Sequence, residues 1–293
     1  MQPIVNVLSV DVEDYFHPTE VQRVAGPGGW DSLPSRVESA TERVLEMLEE
    51  AGVRATFFLL GWVAERRPAL VRKIAAAGHE IGCHSYAHRL VYEMTPEEFR
   101  ADTLRARRAI EDACGRSPRL YRAPSFSVTR RSLWALEALA ECGFEYDSSI
   151  YPIRHDRYGI PGFERFPCRI ETPSGIIVEV PVATVRLTRS RVAPVGGGAY
   201  LRLLPYRYTA AGIRRLNETE RRPACVYFHP WEMDPEQPRL LGSAVSRWRT
   251  YGGLGSMERK LARLFGEFRF SAMTAVVPSD GLPVVRADGG AAA

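Results

Sequence analysis

The chain has 293 residues, 45% apolar and 25% charged, a balance that excludes disordered and fibrous classes. Its length suits one large domain with insertions better than two full ones. The net charge of +4, from 39 basic against 35 acidic side chains, is too weak to argue for nucleic acid by itself.

In chain order, Asn6–Asp11 (NVLSVD) predicts a buried strand that ends in acid. A helix follows, with Val37, Val44, Leu45 and Leu48 on one face and Gly52 as its stop. Thr56–Leu60 (TFFLL) is a second buried strand. Pro68–Ala77 predicts a short helix closed by Gly78, and His79–His84 (HEIGCH) the next strand. Thr95, Pro96, Glu97 and Glu98 form a capping box with proline at the first helical position. The helix they open carries Phe99, Ala106, Ile110 and Ala113 on one stripe and ends at Gly115. Leu120–Arg122 is a strand, Thr129 opens a helix with Leu133, Leu136 and Leu139, and Phe144–Ile150 is a strand after Gly143. Strand, helix and strand recurring at about 30 residues predict βαβ units and a parallel sheet.

The second half is less regular. Residues 151–207 are rich in proline, and the alternating stretch Ile176–Val185 (IIVEVPVATV) predicts an antiparallel hairpin inserted into the α/β frame. The frame then resumes with a helix from Thr209, a strand at Ala224–His229, a helix from Ser256 and a strand at Ser271–Val276. About seven core strands result, which an open doubly wound sheet or a closed barrel could hold. One domain over residues 1–277 is expected, with residues 278–293 as a loose tail.

No apolar run reaches the ~18 residues of a membrane helix. Met1 leads into Pro3–Asp14 with no basic segment before an apolar one, so a cytoplasmic protein is expected. Five cysteines (Cys83, Cys114, Cys142, Cys168, Cys225) stand at wide spacing without a C-x-x-C, which predicts buried thiols rather than a zinc knuckle or disulfide scaffold. The basic residues are nearly all arginine, only Lys73 and Lys260 being lysine, a usage read first as coding bias.

Chemistry concentrates at strand ends, where α/β folds build their sites. Asp11, Glu13 and Asp14 are three carboxylates within four residues, which stay ionised together only beside a cation or an arginine. His84 and His88 can share a metal if their segment is helical or tightly turned. Ser85 stands where a zinc protease would have glutamate, so that reading fails. Three more strand ends carry Arg122-Ala123-Pro124-Ser125, Asp147-Ser148-Ser149 and His229-Pro230-Trp231-Glu232. Each alone fits a cap, an ion pair or a core histidine. Five in succession do not fit chance.

These ordered motifs resemble the polysaccharide deacetylases of carbohydrate esterase family 4, the NodB-homology fold, over residues 1 to about 275: SVDVED, HSYAH, RAPS, YDSS and VYFHPWE. The resemblance implies a distorted, incomplete (β/α) barrel of about seven strands. It is closest to the branch associated with exosortase-linked exopolysaccharide clusters, through DVEDYF, Gly196-Gly197-Gly198-Ala199-Tyr200, and His229 to Arg239 (HPWEMDPEQPR). On that resemblance the part from about 190 to 277 is family-specific. It also implies that His84 and His88 bind a divalent metal, most simply zinc, with cobalt, nickel or manganese as alternatives, together with a carboxylate of the first motif. The metal would polarise an acetamide carbonyl and activate water. Asp11 would be the general base and His229 the general acid. Asp147 would orient or tune His229, and Arg122 would hold a catalytic carboxylate.

The first motif departs from the family's two adjacent aspartates. Side chains at i and i+2 of a strand point the same way, which favours Glu13 as the ligand beside Asp11. A bend after the strand favours Asp14, and a third register makes Glu13 the base and Asp14 the ligand. Substrate contacts are expected from Tyr15, Pro124, Ser125, Tyr200 and Trp231, with Trp231 a stacking platform for a sugar ring. The glycine triplet would be a substrate loop or a plain linker. Arg239, Arg247 and Arg249 would meet an anionic polymer or lipid phosphate, or form a solvated face. The function expected is removal of N-acetyl groups from amino sugars of an exopolysaccharide or its precursor, with peripheral association to a membrane synthesis machinery. An allantoinase-like amidohydrolase of a small amide or ureide, and a carbohydrate-binding barrel without turnover, are the alternatives.

Overall fold

A computed structural model describes residues 3–26, 29–188 and 191–286. Its strands are β1 (Val5–Val12), β2 (Thr56–Leu59), β3 (Glu80–Cys83), β4 (Leu120–Tyr121), β5 (Tyr146–Asp147), β6 (Cys168–Thr172), β7 (Gly175–Glu179), β8 (Thr184–Arg186), β9 (Val192–Pro194), β10 (Cys225–Phe228), β11 (Arg269–Ser271) and β12 (Val284–Val285). Strands β10-β1-β2-β3-β4-β5-β7 lie side by side in that order, all parallel, and helices cover the outside. This is the incomplete (β/α) barrel. Between β7 and β10 no ladder forms. Isolated bonds bridge the gap, from the Ala183 amide to the Cys225 carbonyl (3.0 Å), from the Tyr227 amide to the Gly196 carbonyl (2.7 Å) and from the Gly198 amide to the Tyr227 carbonyl (3.1 Å). The glycine triplet sits in this seam. A Cβ on Gly197 would lie 1.8 Å from the Tyr227 carbonyl oxygen, so the triplet is a close backbone approach rather than a linker.

Period-two alternation along β1 sorts its side chains between two layers. Leu8, Val10 and Val12 face the large helix-covered core. Val7 joins Phe58, Leu120, Tyr146, Val178 and Cys225 in a second cluster contributed by six barrel strands, which fills the interior floor. Gly82 of β3 makes room for this plug, since a Cβ there would lie 2.5 Å from the Phe58 ring. Ser9 and Asp11 continue the inward face above it, so the interior changes from apolar to polar along one strand.

Several predicted elements differ. The stretch Ile176–Val185 is not one hairpin. Its first half, in β7, pairs antiparallel with β6, and its second half, β8, pairs with β9 in a separate small sheet. Pro181 between the halves cannot donate to a ladder and ends the first. The last core strand is β11, not Ser271–Val276. Met273–Val276 is a short helix that carries Met273 into the barrel floor, with Val277 just after it. The expected tail is ordered at Val284–Val285, which pair with β6 because that edge strand offers free backbone groups; residues 287–293 of it lie outside the described residues. The helix Pro96–Cys114 carries the capping box as predicted, with Gly115 left-handed at its end (φ 71°). No helix among the described residues is long and apolar enough to cross a membrane.

Candidate active site

The polar strand ends meet over the barrel mouth. Glu13 follows β1 and its Oε1 lies 3.0 Å from Nε2 of both His84 and His88. These three side chains are buried, and their ligand atoms lie within 4.8 Å of one another. Burial alone would push the Glu13 carboxyl up, but the imidazoles of His88, His229 and His84 hold it well below the usual carboxylate range. An ionised carboxylate between two imidazoles is a donor set that suits a divalent transition metal. The His84 Nδ1–H donates to the Arg122 carbonyl (2.8 Å), which leaves Nε2 free as a ligand. His88 Nδ1 faces the side-chain amide of Gln22 at 2.7 Å, on the helix Thr19–Ala25. For His88 to present an Nε2 lone pair, Nδ1 must carry the proton and Gln22 must turn its oxygen towards it.

The His84–His88 segment is a tight turn, not a helix. Ser85 and His88 have positive φ (62° and 49°), and so do Ser125 and Phe126 (both 52°) at the facing loop. Such conformations cost of order 1–3 kcal/mol each and persist only where the surroundings fix them. Here Asp102 does part of that work, accepting from the amides of Tyr86 (2.8 Å) and Ala87 (3.1 Å). The Ser85 hydroxyl accepts from the His88 amide (3.1 Å). Cys83 faces the core and is no ligand, as its place one residue before His84 in the strand predicts.

Asp14 is not a ligand, which corrects one of the two candidate assignments. It turns away from the site. One oxygen accepts from the Ser35 hydroxyl (2.7 Å) and the amides of Arg36 (2.9 Å) and Val37 (3.1 Å), capping the helix Val37–Glu50. The other accepts from the Tyr15 amide (2.9 Å). Asp14→Ala should therefore lower stability by roughly 2–3 kcal/mol, through an unmet helix start and buried amides, while metal content stays unchanged. Thermal denaturation beside metal analysis checks this; loss of metal in a folded variant would sink it.

Asp11 and His229 flank the cluster. Fully buried Arg122 donates from Nη1 to Asp11 Oδ1 (2.8 Å) and to the Ser9 hydroxyl (2.7 Å). Its Nη2 reaches the Ser148 hydroxyl (2.7 Å), and its guanidinium lies 4.4 Å over the Phe58 ring. Arg122 thus spans the floor and the acid above it. His229 Nε2 lies 3.9 Å from both Asp11 Oδ2 and Glu13 Oε1, and its Nδ1 is 3.0 Å from Glu232 Oε2. Burial opposes charge on His229, but the carboxylates of Glu13, Glu232 and Asp11 overcome it and raise its pKa to about 9. Glu232 is in turn held by buried Arg202 (2.9 Å).

Asp147, expected to orient His229, makes no ion pair with it among the described residues. That place belongs to Glu232, three residues after the histidine. Asp147 instead hydrogen-bonds Ser149 and shares a buried site with Glu179, its parallel partner on β7. Burial raises both, Asp147 to about 6 and Glu179 well above its ordinary value, with Asp147's charge also raising Glu179. A carboxyl that holds its proton longer when folded stabilises the fold below the unfolded pKa near 4, and that stability is lost as pH rises through about 6 and beyond. Glu179→Gln keeps a donor to Asp147 and removes one titration. Its melting temperature should fall less than the parent's between pH 5 and 8. Parallel melting curves would refute the shared proton.

The cavity above these groups encloses about 180 Å³ and is walled by Phe126, Tyr158, Tyr227 and Trp231. Ser125 lines it. Pro124 and Tyr200 do not, and Tyr15 is buried in the core beside the opposite face of Glu13. Trp231 borders the cavity and also stacks on His229 (centroids 5.2 Å apart), with its Nε1 3.4 Å from Glu13 Oε2.

Residues 29–146 match the family Polysaccharide deacetylase, and residues 148–278 match a Domain of unknown function (DUF3473). A peptidoglycan-N-acetylglucosamine deacetylase of Bacillus cereus is 35% identical over 98 residues, 33% of this chain and 36% of that protein. A chitooligosaccharide deacetylase of Bradyrhizobium is 36% identical over 101 residues, 34% of this chain and 43% of that protein. The chain therefore spans less than half the length of these curated relatives. Among solved structures, one from Mycobacterium smegmatis assigned to the polysaccharide deacetylases superposes with a TM-score of 0.61 at 20% identity, covering 94% of this chain and 93% of the other. A carbohydrate esterase family 4 pseudoenzyme from Bacillus anthracis superposes at 0.51 with 14% identity, covering 97% and 69%. At these identities they show the fold.

Proposed function

We propose, from the place of residues 29–146 in the polysaccharide deacetylase family, that this chain is a metal-dependent N-deacetylase of amino sugars in an exopolysaccharide or its precursor. The observation that carries the reading is the buried Glu13–His84–His88 cluster with Asp11 and His229 on either flank. The exopolysaccharide assignment rests on the acidic first motif, the glycine triplet and the His229 to Arg239 segment.

Glu13, His84 and His88 would hold the metal. A bound divalent cation would polarise the acetyl carbonyl and acidify water beside it. Asp11, with one oxygen held by Arg122, has the other free to take a proton from the attacking water. As the acid, His229 would carry its proton on Nε2, favoured by the carboxylates of Glu232 and Asp11, with its Nδ1–H on Glu232. Its Nε2–H passes to the leaving nitrogen as the carbon–nitrogen bond breaks, giving acetate and a free amine. His229 Nε2 lies 3.9 Å from both carboxylates, so acid and base face the same end of the cavity. Zinc is the metal expected from two imidazoles and one carboxylate.

The purified chain, supplied with zinc, should release acetate and new amine in equal amounts from acetylated glucosamine oligomers. No acetate from any acetylated saccharide with metal bound would sink the reading. It would then favour the binding barrel if saccharides still bind, and the amidohydrolase if small amides are cleaved.

A further inference from the structure

Two stretches of this chain contain no acidic residue: Val180–Asn217, with seven arginines, and Gln237–Met257, with three. The whole chain carries only +4, so these stretches concentrate positive charge that the rest offsets. The fold packs them together. Arg202, on the helix Ala199–Leu203, donates to the Arg249 carbonyl (2.7 Å) on the helix Ala244–Tyr251. The Tyr208 hydroxyl donates to the Pro194 carbonyl (2.9 Å) and ties the next helix to β9. Val192 and Tyr200 pack into one apolar cluster, which joins the β8–β9 hairpin to the same region.

Arg202, Arg214 and Arg215 are ion-paired, to Glu232, Glu267 and Glu220. Arg186, Arg191, Arg207, Arg239, Arg247 and Arg249 are exposed, and none is within ion-pair distance of an acid among the described residues. The same stretches carry the three most exposed large apolar side chains of the described residues: Val245 (62%), Trp248 (61%) and Leu187 (60%). A solvated basic face has no use for these. Nor does a site for a polyanion, which needs the arginines but gains nothing from an aliphatic side chain beside them. The surface of an anionic bilayer takes both, with arginines on the headgroup phosphates, tryptophan at the interface, and valine and leucine at the acyl boundary.

We propose that this face docks on an anionic phospholipid bilayer. Ala199 and Arg202, from the same segment, line the cavity over the candidate active site, so docking sets the cavity mouth beside the lipid surface. A substrate carried on a membrane-embedded lipid, or a chain growing at the membrane, would then meet the site without release into bulk water.

The test is co-sedimentation of the full chain with vesicles of phosphatidylcholine alone and of phosphatidylcholine with one third phosphatidylglycerol. Binding to the second but not the first is expected, weakening steeply with added salt. Trp248→Ala with Val245→Ser should weaken it about tenfold although no charge changes, the two side chains being exposed and outside the core. Arg247→Ser with Arg249→Ser should weaken it by a similar factor or more, about 1 kcal/mol per basic residue being roughly fivefold each. No binding to either vesicle overturns the proposal. So does binding that the Trp248 and Val245 changes leave intact, or stronger retention on an acidic polysaccharide than on vesicles, since either outcome reports a polyanion site. Binding needs neither metal nor turnover, so its failure is distinct from failure of the deacetylase reading.

Discussion

His84→Ala and His88→Ala should each lose bound metal almost completely and bring acetate release to the background rate. The site offers two imidazoles and one carboxylate, and tight zinc binding needs three protein ligands with an open position. Removing one imidazole leaves Glu13 ionised in a buried pocket with a single close imidazole besides His229. The two variants should not be equal in stability. His84 Nδ1 also bonds the Arg122 carbonyl at the centre of the barrel, whereas His88 leans on Gln22 of a short peripheral helix. His84→Ala should therefore melt lower. Metal analysis, activity and melting temperature measured together decide the matter. One equivalent of zinc retained in either variant would refute the ligand assignment.

Asp11→Asn should behave in the opposite way. Metal should stay near one equivalent while turnover falls by roughly two to four orders of magnitude, the span expected for loss of general base catalysis. Asparagine can still accept from Arg122 with its oxygen, but its nitrogen cannot take a proton from water. Arg122 would lose its buried counter-charge, so a stability loss should accompany the kinetic one. The measurement is zinc content beside initial rates, with Glu13→Gln as the comparison. If Asp11→Asn loses zinc and Glu13→Gln keeps it, the roles of the two carboxylates are exchanged.

The register of the first motif was legible because β-strand geometry is so regular. Asp11 and Glu13 fall on one side, and Glu13 faces the histidines although the strand itself ends at Val12. That Asp14 caps a helix beginning at Val37 was not legible, since the bond joins residues more than 20 apart through a turn. The same limit hid the partner of Asp147. Glu179 stands in an alternating stretch that reads as an ordinary half-buried strand, and only the parallel register of β5 and β7 sets the two carboxyls together. Glu232 lay in plain view beside His229, but its role depends on a short turn after the strand that bends the glutamate back onto the histidine's ring. Strong periodic helices such as Pro96–Cys114 were read almost to the residue. Thr19–Ala25, with one buried side chain and no side-chain cap, leaves no periodic trace, so nothing in the sequence marks Gln22.

The apolar floor of the barrel has a consequence for traffic. Val7, Phe58, Leu120, Tyr146, Val178 and Cys225 close the interior from below, so among the described residues the chamber is closed at its floor. Whatever reaches deepest must leave last. Under the proposed reaction, acetate formed beneath a sugar would leave only after the sugar had lifted off the mouth. Release would then be ordered, the sugar first and acetate second.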